Sequence, residues 1–304
     1  MSLDSPSAFS RELAVMHDAA ARAAAAVMRV YATDFAVAFK DLAPNAARNA
    51  IGDDPVTAAD KEANAIIVEA LAAAFPRDAI VAEESAIPAG FERARRCWFV
   101  DPLDGTRELI ARNGEFCVMI GLAIDGRARL GVLAVPALAA PGCDRLGFVL
   151  SGEVGLGARL VDGAGLVSAL SVSDCDDPAR ATIVVSRSRR SKLLDPVFAA
   201  LGHPSELPCG SVGVKIARML TGARADGYVH LTRTGDSVGA RWDFCAPEAI
   251  LVAAGGRFTD QRGAAIDYAQ QDVRNRSGLV ASNTRLHARL LAAVAPVIEG
   301  FAPA

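Results

Sequence analysis

Trp98-Phe99-Val100-Asp101-Pro102-Leu103-Asp104-Gly105-Thr106 is the stretch on which the fold turns. Trp98 to Val100 has the apolar, β-favouring composition of a buried strand, and that strand delivers Asp101 at its end. Pro102 fixes a turn and Asp104 follows, so both carboxylates can face one point. Two close carboxylates repel unless they are protonated or bridged by cations. Gly105 and Thr106 then open a short helix through Arg107-Glu108-Leu109-Ile110, whose free N–H groups suit an anion such as phosphate. A bare Asp-Gly-Thr is more commonly a turn with a helix cap; the longer string is more specific than that.

Outward from this stretch the period is that of strands. Ala79-Ile80-Val81 lies upstream; Phe116–Ile124 and Leu130–Ala134 lie downstream, joined by the hairpin pair Asp125-Gly126. Gly147–Leu150 and Gly155–Val161 add short strands. Ser10 to Phe39 is Ala-rich without Pro or Gly and predicts one long helix opened by a Ser cap. A second helix is predicted from Thr57 to Phe75, with Ala63, Ile66, Ile67, Ala70 and Leu71 at helical spacing. The first half is thus helices on a largely antiparallel sheet. The second half alternates: strand Thr182–Val185, helices Ser191–Leu201 and Val212–Thr221, strand Gly227–Leu231, helix Pro247–Ala254, strand Leu279–Ala281 and helix Arg285–Ile298. That is the rhythm of a layered α/β unit. Ser171–Pro178 marks the join, giving an α+β domain over residues 1–175 and an α/β domain over residues 176–304.

Composition bounds the function. The 304 residues are 52% hydrophobic and 22% charged, enough apolar material for one large core or two modest ones. A net charge of -3, from 35 acidic against 32 basic residues, provides no polycationic surface for a nucleic acid polymer. The six cysteines contain no C-x-x-C pair, which predicts reduced thiols in a cytoplasmic protein. The longest apolar runs are broken by Arg22 and Arg29 or by Pro136, so no transmembrane segment is expected.

Two more segments carry carboxylates beside apolar runs. Glu83-Glu84-Ser85 follows the Ile80–Val81 strand, and Asp243 in Arg241-Trp242-Asp243 precedes an apolar helix. Alone, the first reads as a solvated pair and the second as a helix cap. With Asp101 and Asp104 they form an all-oxygen set without His or Cys, which suits Mg²⁺ or Mn²⁺ and argues against zinc. In Val56-Thr57-Ala58-Ala59-Asp60, Thr57 and Asp60 are spaced as a capping box; the alternative is that Asp60 pairs with Thr106 as the general base for an attacking water. No motif for a phosphorylated Asp, His or Cys is present.

Asp54-Pro55-Val56-Thr57-Ala58-Ala59-Asp60, Glu83-Glu84-Ser85, Trp98 through Thr106, and Trp242-Asp243 followed by Ala246 and Ala254-Gly255-Gly256 resemble, in order, the motifs of the inositol monophosphatase superfamily. The resemblance spans Asp54 to Asp260. It implies a layered αβαβα sandwich of the inositol monophosphatase and sugar phosphatase type, and a Mg²⁺-dependent, lithium-sensitive phosphomonoesterase using two or three metal ions. Glu83, Asp101, Asp104, Asp243 and the backbone carbonyl of Leu103 would be metal ligands, Asp60 and Thr106 would activate water, and Glu84 would stand behind the ligands. Ala82 departs from the pattern, since a glycine commonly precedes the two glutamates.

The likeness is closer to one branch, the 3′(2′),5′-bisphosphate nucleotidases. It is carried by Asp101 through Glu108 with Asn113-Gly114-Glu115-Phe116, by Ser186-Arg187-Ser188-Arg189, and by Trp242 through Glu248. Ser186, Arg189, Ser211 and Lys215 fall where those enzymes hold the nucleotide, alongside Gly105, Thr106 and Asp243. Arg189 replaces a usual histidine, and Ser211 a common glycine. The implied substrate is adenosine 3′,5′-bisphosphate, cleaved to AMP and phosphate; inositol 1-phosphate or a broad set of small phosphate esters is the alternative. Arg187, Arg189, Arg190 and Lys215 would meet the second phosphate, unless Ser186–Lys192 is simply a solvated basic loop. The resemblance also implies a homodimer. Two other classes compete: a catalytically inert binding protein of the same fold, and a dinucleotide-dependent oxidoreductase. The second is weak, because Ala254-Gly255-Gly256 follows a helix rather than a strand.

Overall fold

The computed structural model describes residues 7–39, 55–188, 190–222, 225–233, 236–237 and 239–300. Asp54 and Arg189, both singled out in the sequence, lie outside them. The chain opens with helix α1 (Ser10–Tyr31), a short antiparallel ribbon of β1 (Ala38–Phe39) and β2 (Pro55–Val56), and helix α2 (Ala58–Ala74). A first sheet follows, built from β3 (Ala79–Ala82), β4 (Arg96–Asp104), then after the short helix α3 (Thr106–Ile110) β5 (Cys117–Ile124), β6 (Arg127–Ala139), β7 (Leu146–Glu153), β8 (Gly157–Val161) and β9 (Val167–Leu170). Its seven strands lie in chain order. β3 and β4 are parallel and every later pair is antiparallel, as the short connections between them require.

The second half contributes β10 (Thr182–Ser186), α4 (Leu194–Ala200), β11 (Ser205–Cys209), α5 (Val212–Leu220), β12 (Gly227–His230), α6 (Arg241–Ala253), β13 (Gly256–Thr259), β14 (Leu279–Asn283) and α7 (Thr284–Glu299). Its five strands run in the order β11-β10-β12-β14-β13, parallel among β11, β10 and β12 and antiparallel at β14.

Side-chain alternation along the strands sorts the core into three layers. Trp98, Val100, Val118, Ile120 and Leu122 face α1 and α2. Their neighbours Phe99, Cys117, Met119 and Ala123 face inward, where α5 and α6 pack, and Val184, Tyr228 and Ala281 close that middle layer from the second sheet. Ile183, Val185, Val229 and Val280 look outward to α4 and α7. The result is the layered αβαβα sandwich that the resemblance implied.

A row of three glycines decides how deep α6 lies. Gly121, Gly131 and Gly152 are cross-strand neighbours on β5, β6 and β7. A Cβ on them would sit 2.6 Å from the Ala246 nitrogen, 2.3 Å from the Ala246 oxygen and 2.7 Å from Ile250 Cα, respectively. Only a bare backbone lets the helix approach this closely. α6 therefore runs across the first sheet and carries its N-terminus, with Asp243, to the end of β4.

Several elements differ from expectation. α1 stops at Tyr31 rather than Phe39; Thr33 and Asp34 are poor interior helix residues, and Thr33 Oγ1 ties back to the Val30 carbonyl at 2.9 Å. Its N-cap is Phe9, without a side-chain cap, not a serine. α6 begins at Arg241 and runs through Pro247, which read as a helix start because proline suits first turns. Besides the two-residue β1 and β2, the unpredicted strands are β9, β11 and β13, all sheet edges; β9 and β11 are mostly exposed and β13 is only four residues long, so the apolar signal is weak, and edge position is also what lets β11 carry Pro208. Among the described residues, no helix is long and apolar enough to cross a membrane.

Candidate active site

Asp101 and Asp104 are three residues apart, a separation that in a regular strand would put them on opposite faces. A bulge corrects this. Asp101 pairs with Met119 and Asp104 with Cys117, so β4 carries one residue more than β5 across the interval. Pro102 has no N–H to lose from the ladder, and the Leu103 N–H turns inward to donate to Asp101 Oδ1 at 2.9 Å. The strand thus continues to Asp104 rather than ending at Asp101. Gly105 follows with φ +99°, and a Cβ there would sit 2.9 Å from the Glu115 carbonyl oxygen; glycine makes the turn that presents Thr106.

Asp60 combines the two roles between which its sequence left a choice. Its Oδ2 accepts from Thr57 N at 2.7 Å and Thr57 Oγ1 at 2.8 Å, which caps α2. Its Oδ1 accepts from Thr106 Oγ1 at 3.0 Å. The same hydroxyl lies 3.3 Å from the Leu103 carbonyl. Asp60 is buried, and burial pushes its carboxyl above the usual range against the bonds from Thr57 and Thr106, with Glu84 adding to the push.

Asp104 is tied to the start of α5. Its Oδ2 accepts from Ser211 Oγ at 2.5 Å and from Gly213 N at 2.7 Å, while Ser211 Oγ also caps the helix by accepting from Val214 N at 3.1 Å. At the other helix end facing the cleft, Asp243 Oδ2 accepts from Ala240 N at 2.6 Å. Glu83 hangs from the end of β3, its N–H donating to the Val100 carbonyl at 3.1 Å.

These carboxylates crowd one another. Asp101 is driven well above the usual carboxylate range first by burial, then by Glu83, Asp104 and Asp243. Asp243 is driven up by burial and then by Glu83 and Asp104. Asp104 is raised by burial but held back by Ser211, Gly213 and the Lys215 ammonium. Among the described residues, no three His, Cys, Asp or Glu side chains already form a closed metal-binding group. The donors gathered here are oxygens alone, and their mutual repulsion is what a hard divalent cation would relieve; the Leu103 carbonyl would be a further donor.

Glu83, Asp101, Leu103, Asp104, Gly105, Thr106, Ser186, Ser211, Lys215 and Asp243 all line one cleft of about 880 Å³. Two expectations change in detail. Ser211 reaches the cleft, but its hydroxyl is committed to Asp104 and Val214. Lys215 is buried, donates from Nζ to the Gly210 carbonyl and lies 5.3 Å from the Tyr228 ring centroid.

The basic loop divides: Ser186, Ser188, Ser191 and Lys192 line the cleft, while two of its arginines are turned to protein carboxylates. Arg187 makes a two-pronged pair with Glu115, at 3.1 and 2.7 Å, and Arg190 is held by Glu206 and Asp195. Among the described residues, the cations that line the cleft with Lys215 are Arg107, Lys192, Arg233 and Arg274. Arg107 and Lys192 lie within segments already singled out in the sequence; no local pattern marks Arg233 or Arg274.

The inositol monophosphatase family profile matches residues 10–299. The chain belongs to the inositol monophosphatase family. This is a family of metal-dependent phosphatases. Among its relatives, the 3′(2′),5′-bisphosphate nucleotidase CysQ of Salmonella typhimurium is 34% identical over 224 residues, covering 72% of this chain and 82% of that protein. A histidinol-phosphatase of Chlorobaculum parvum is 32% identical over 250 residues, covering 80% and 84%. The crystal structure of CysQ from Bacteroides thetaiotaomicron superposes with a TM-score of 0.70 at 26% identity, covering 91% of this chain and 99% of that one.

Proposed function

We propose that this family member hydrolyses the 3′-phosphate of adenosine 3′,5′-bisphosphate, yielding AMP and inorganic phosphate, with Mg²⁺ or Mn²⁺ held by Glu83, Asp101, Asp104, Asp243 and the Leu103 carbonyl. The observation that carries the reading is the Asp60–Thr106 hydrogen bond set beside crowded buried carboxylates, in a cleft whose other lining side chains include five cations. Similarity to CysQ favours a nucleotide bearing two phosphates. Residues 1–175 would supply most of the ligands, and residues 176–304 Asp243 and the leaving-group side.

Because the Thr106 hydroxyl donates its proton to Asp60, its oxygen lone pairs are turned to accept one from a water in the cleft. Asp60, raised by burial, is a stronger base than a solvated carboxylate and takes up that proton through Thr106. The Thr57 bonds hold Asp60 in place while it does so. When bound, the divalent cations supply positive charge that polarises the phosphoryl oxygens and stabilises the departing alkoxide. Water adds its oxygen to phosphorus, the ester O–P bond breaks, and the leaving oxygen takes its proton from a second water near Asp243.

The test is phosphate release from adenosine 3′,5′-bisphosphate, inositol 1-phosphate and L-histidinol phosphate, each with Mg²⁺ and with a chelator. The bisphosphate is expected to have the highest kcat/KM, and all release to stop with the chelator. A clear preference for either other ester overturns the nucleotide reading; chelator-resistant release overturns the metal site.

A further inference from the structure

A substrate with a second phosphate must place it away from the anionic wall of Asp101, Asp104 and Asp243. Arg187 and Arg190 are occupied by Glu115, Glu206 and Asp195. Arg274 is positioned differently. It lies between β13 and β14, in a stretch fastened to the start of α6: Ala240 and Arg274 form an antiparallel bridge, Arg241 N donates to the Val273 carbonyl at 2.8 Å, and Asn275 N donates to the Gly239 carbonyl at 2.7 Å. Asn275 is buried and locks the far side, donating from Nδ2 to the Gly278 carbonyl at 2.9 Å. The backbone of Arg274 is thus tied to the same turn that presents Asp243.

Its guanidinium is tethered at one point. Nε lies 3.3 Å from Asp272 Oδ1, and Asp272 is its one partner among the described residues. That leaves the two terminal nitrogens uncommitted on a side chain that lines the cleft. A guanidinium anchored through Nε offers the planar fork that grips a phosphate in two parallel hydrogen bonds. Lys192 and Arg233 line the same cleft, as does Asp236, and Arg274 itself is paired with Asp272 through Nε alone.

We propose that Arg274 forms an anion subsite for a second phosphate, carried on the leaving-group side of the substrate, and so sets the preference for bisphosphates over monophosphates. The inference rests on the phosphomonoesterase reading of the cleft. Because half of the Arg274 side chain is solvent-exposed, at 51%, the gain in binding is moderate rather than that of a buried pair.

The experiment compares kcat/KM for adenosine 3′,5′-bisphosphate with that for adenosine 3′-phosphate in the wild type, Arg274→Gln and Arg276→Gln. Arg276 shares Asp272, at 3.0 Å, without lining the cleft. Arg274→Gln is expected to shrink the bisphosphate preference by about tenfold, mainly through KM, and Arg276→Gln to keep it. A preference that survives Arg274→Gln, or that falls as far in Arg276→Gln, overturns the subsite. A wild type that hydrolyses both nucleotides without preference overturns the bisphosphate reading beneath it, and wild type inert on both overturns the phosphatase reading itself.

Discussion

The floor of the cleft is set by the backbone, whereas its rim is set by side chains holding other side chains. Asp101, Asp104 and Asp243 each accept a hydrogen bond from a main-chain N–H, and so does Asp60 behind Thr106, on α2 in the layer shared with α1. Along the rim, Arg187, Arg190 and Arg274 owe their directions chiefly to Glu115, Glu206, Asp195 and Asp272. Backbone bonds hold an arrangement closely, as chemistry on one phosphorus requires. Exposed ion pairs are worth little each and can be exchanged for pairs with a substrate.

The comparison breaks most readily at the floor. Asp101→Asn is expected to lower Mg²⁺-dependent phosphate release by about a thousandfold or more, in line with loss of a metal-dependent step. The variant should fold normally, and without Mg²⁺ its Tm should match or exceed that of the wild type, because a source of like-charge repulsion has gone. A wild-type rate would remove Asp101 from the site. Asp60→Asn should lower kcat by about a hundredfold, with KM changed far less; a defect confined to KM would show that Asp60 acts only as a helix cap.

Glu248 separates burial from crowding. It lies on α6 beyond Asp243, accepts from the Tyr268 hydroxyl at 2.6 Å, and is pushed up to about 7 by desolvation against Tyr268, Arg127 and Arg241. A carboxyl raised in the folded state favours folding while it is protonated there. That stability is fully present below the unfolded value of about 4.5 and is lost as pH rises through about 7. Glu248→Gln should flatten this slope, worth about 2 kcal/mol, as read by denaturant unfolding at pH 5 and pH 8. Equal slopes in both proteins would refute the assignment. At the rim, Arg190→Ala is expected to alter KM by less than about twofold; a tenfold rise would return the Ser186–Lys192 loop to substrate binding.

Much of the floor was legible because it is written in consecutive residues. Trp98 through Thr106 contains an apolar run, a proline, two aspartates and a glycine, and each dictates a local conformation. The capping spacing of Thr57 and Asp60 was equally readable. Its second use, with Oδ1 turned to Thr106, was only one of two readings, since nothing local brings α2 against the start of α3. The edge strands β9, β11 and β13 escaped because mostly exposed or very short strands carry little periodic signal.

The rim was legible only as composition. Arginines cluster at residues 187, 189 and 190, yet a cluster does not say where its charges point. Glu115, far away in the chain, captured Arg187, and Arg274 reached the cleft through a bridge to Ala240. Sequence alone determined the acid pairs, turns and caps of the cleft, because these are local and each residue restricts its neighbours. Tertiary structure alone decided which cations line the cleft, because long flexible side chains take their direction from whichever partner the folded chain brings within reach.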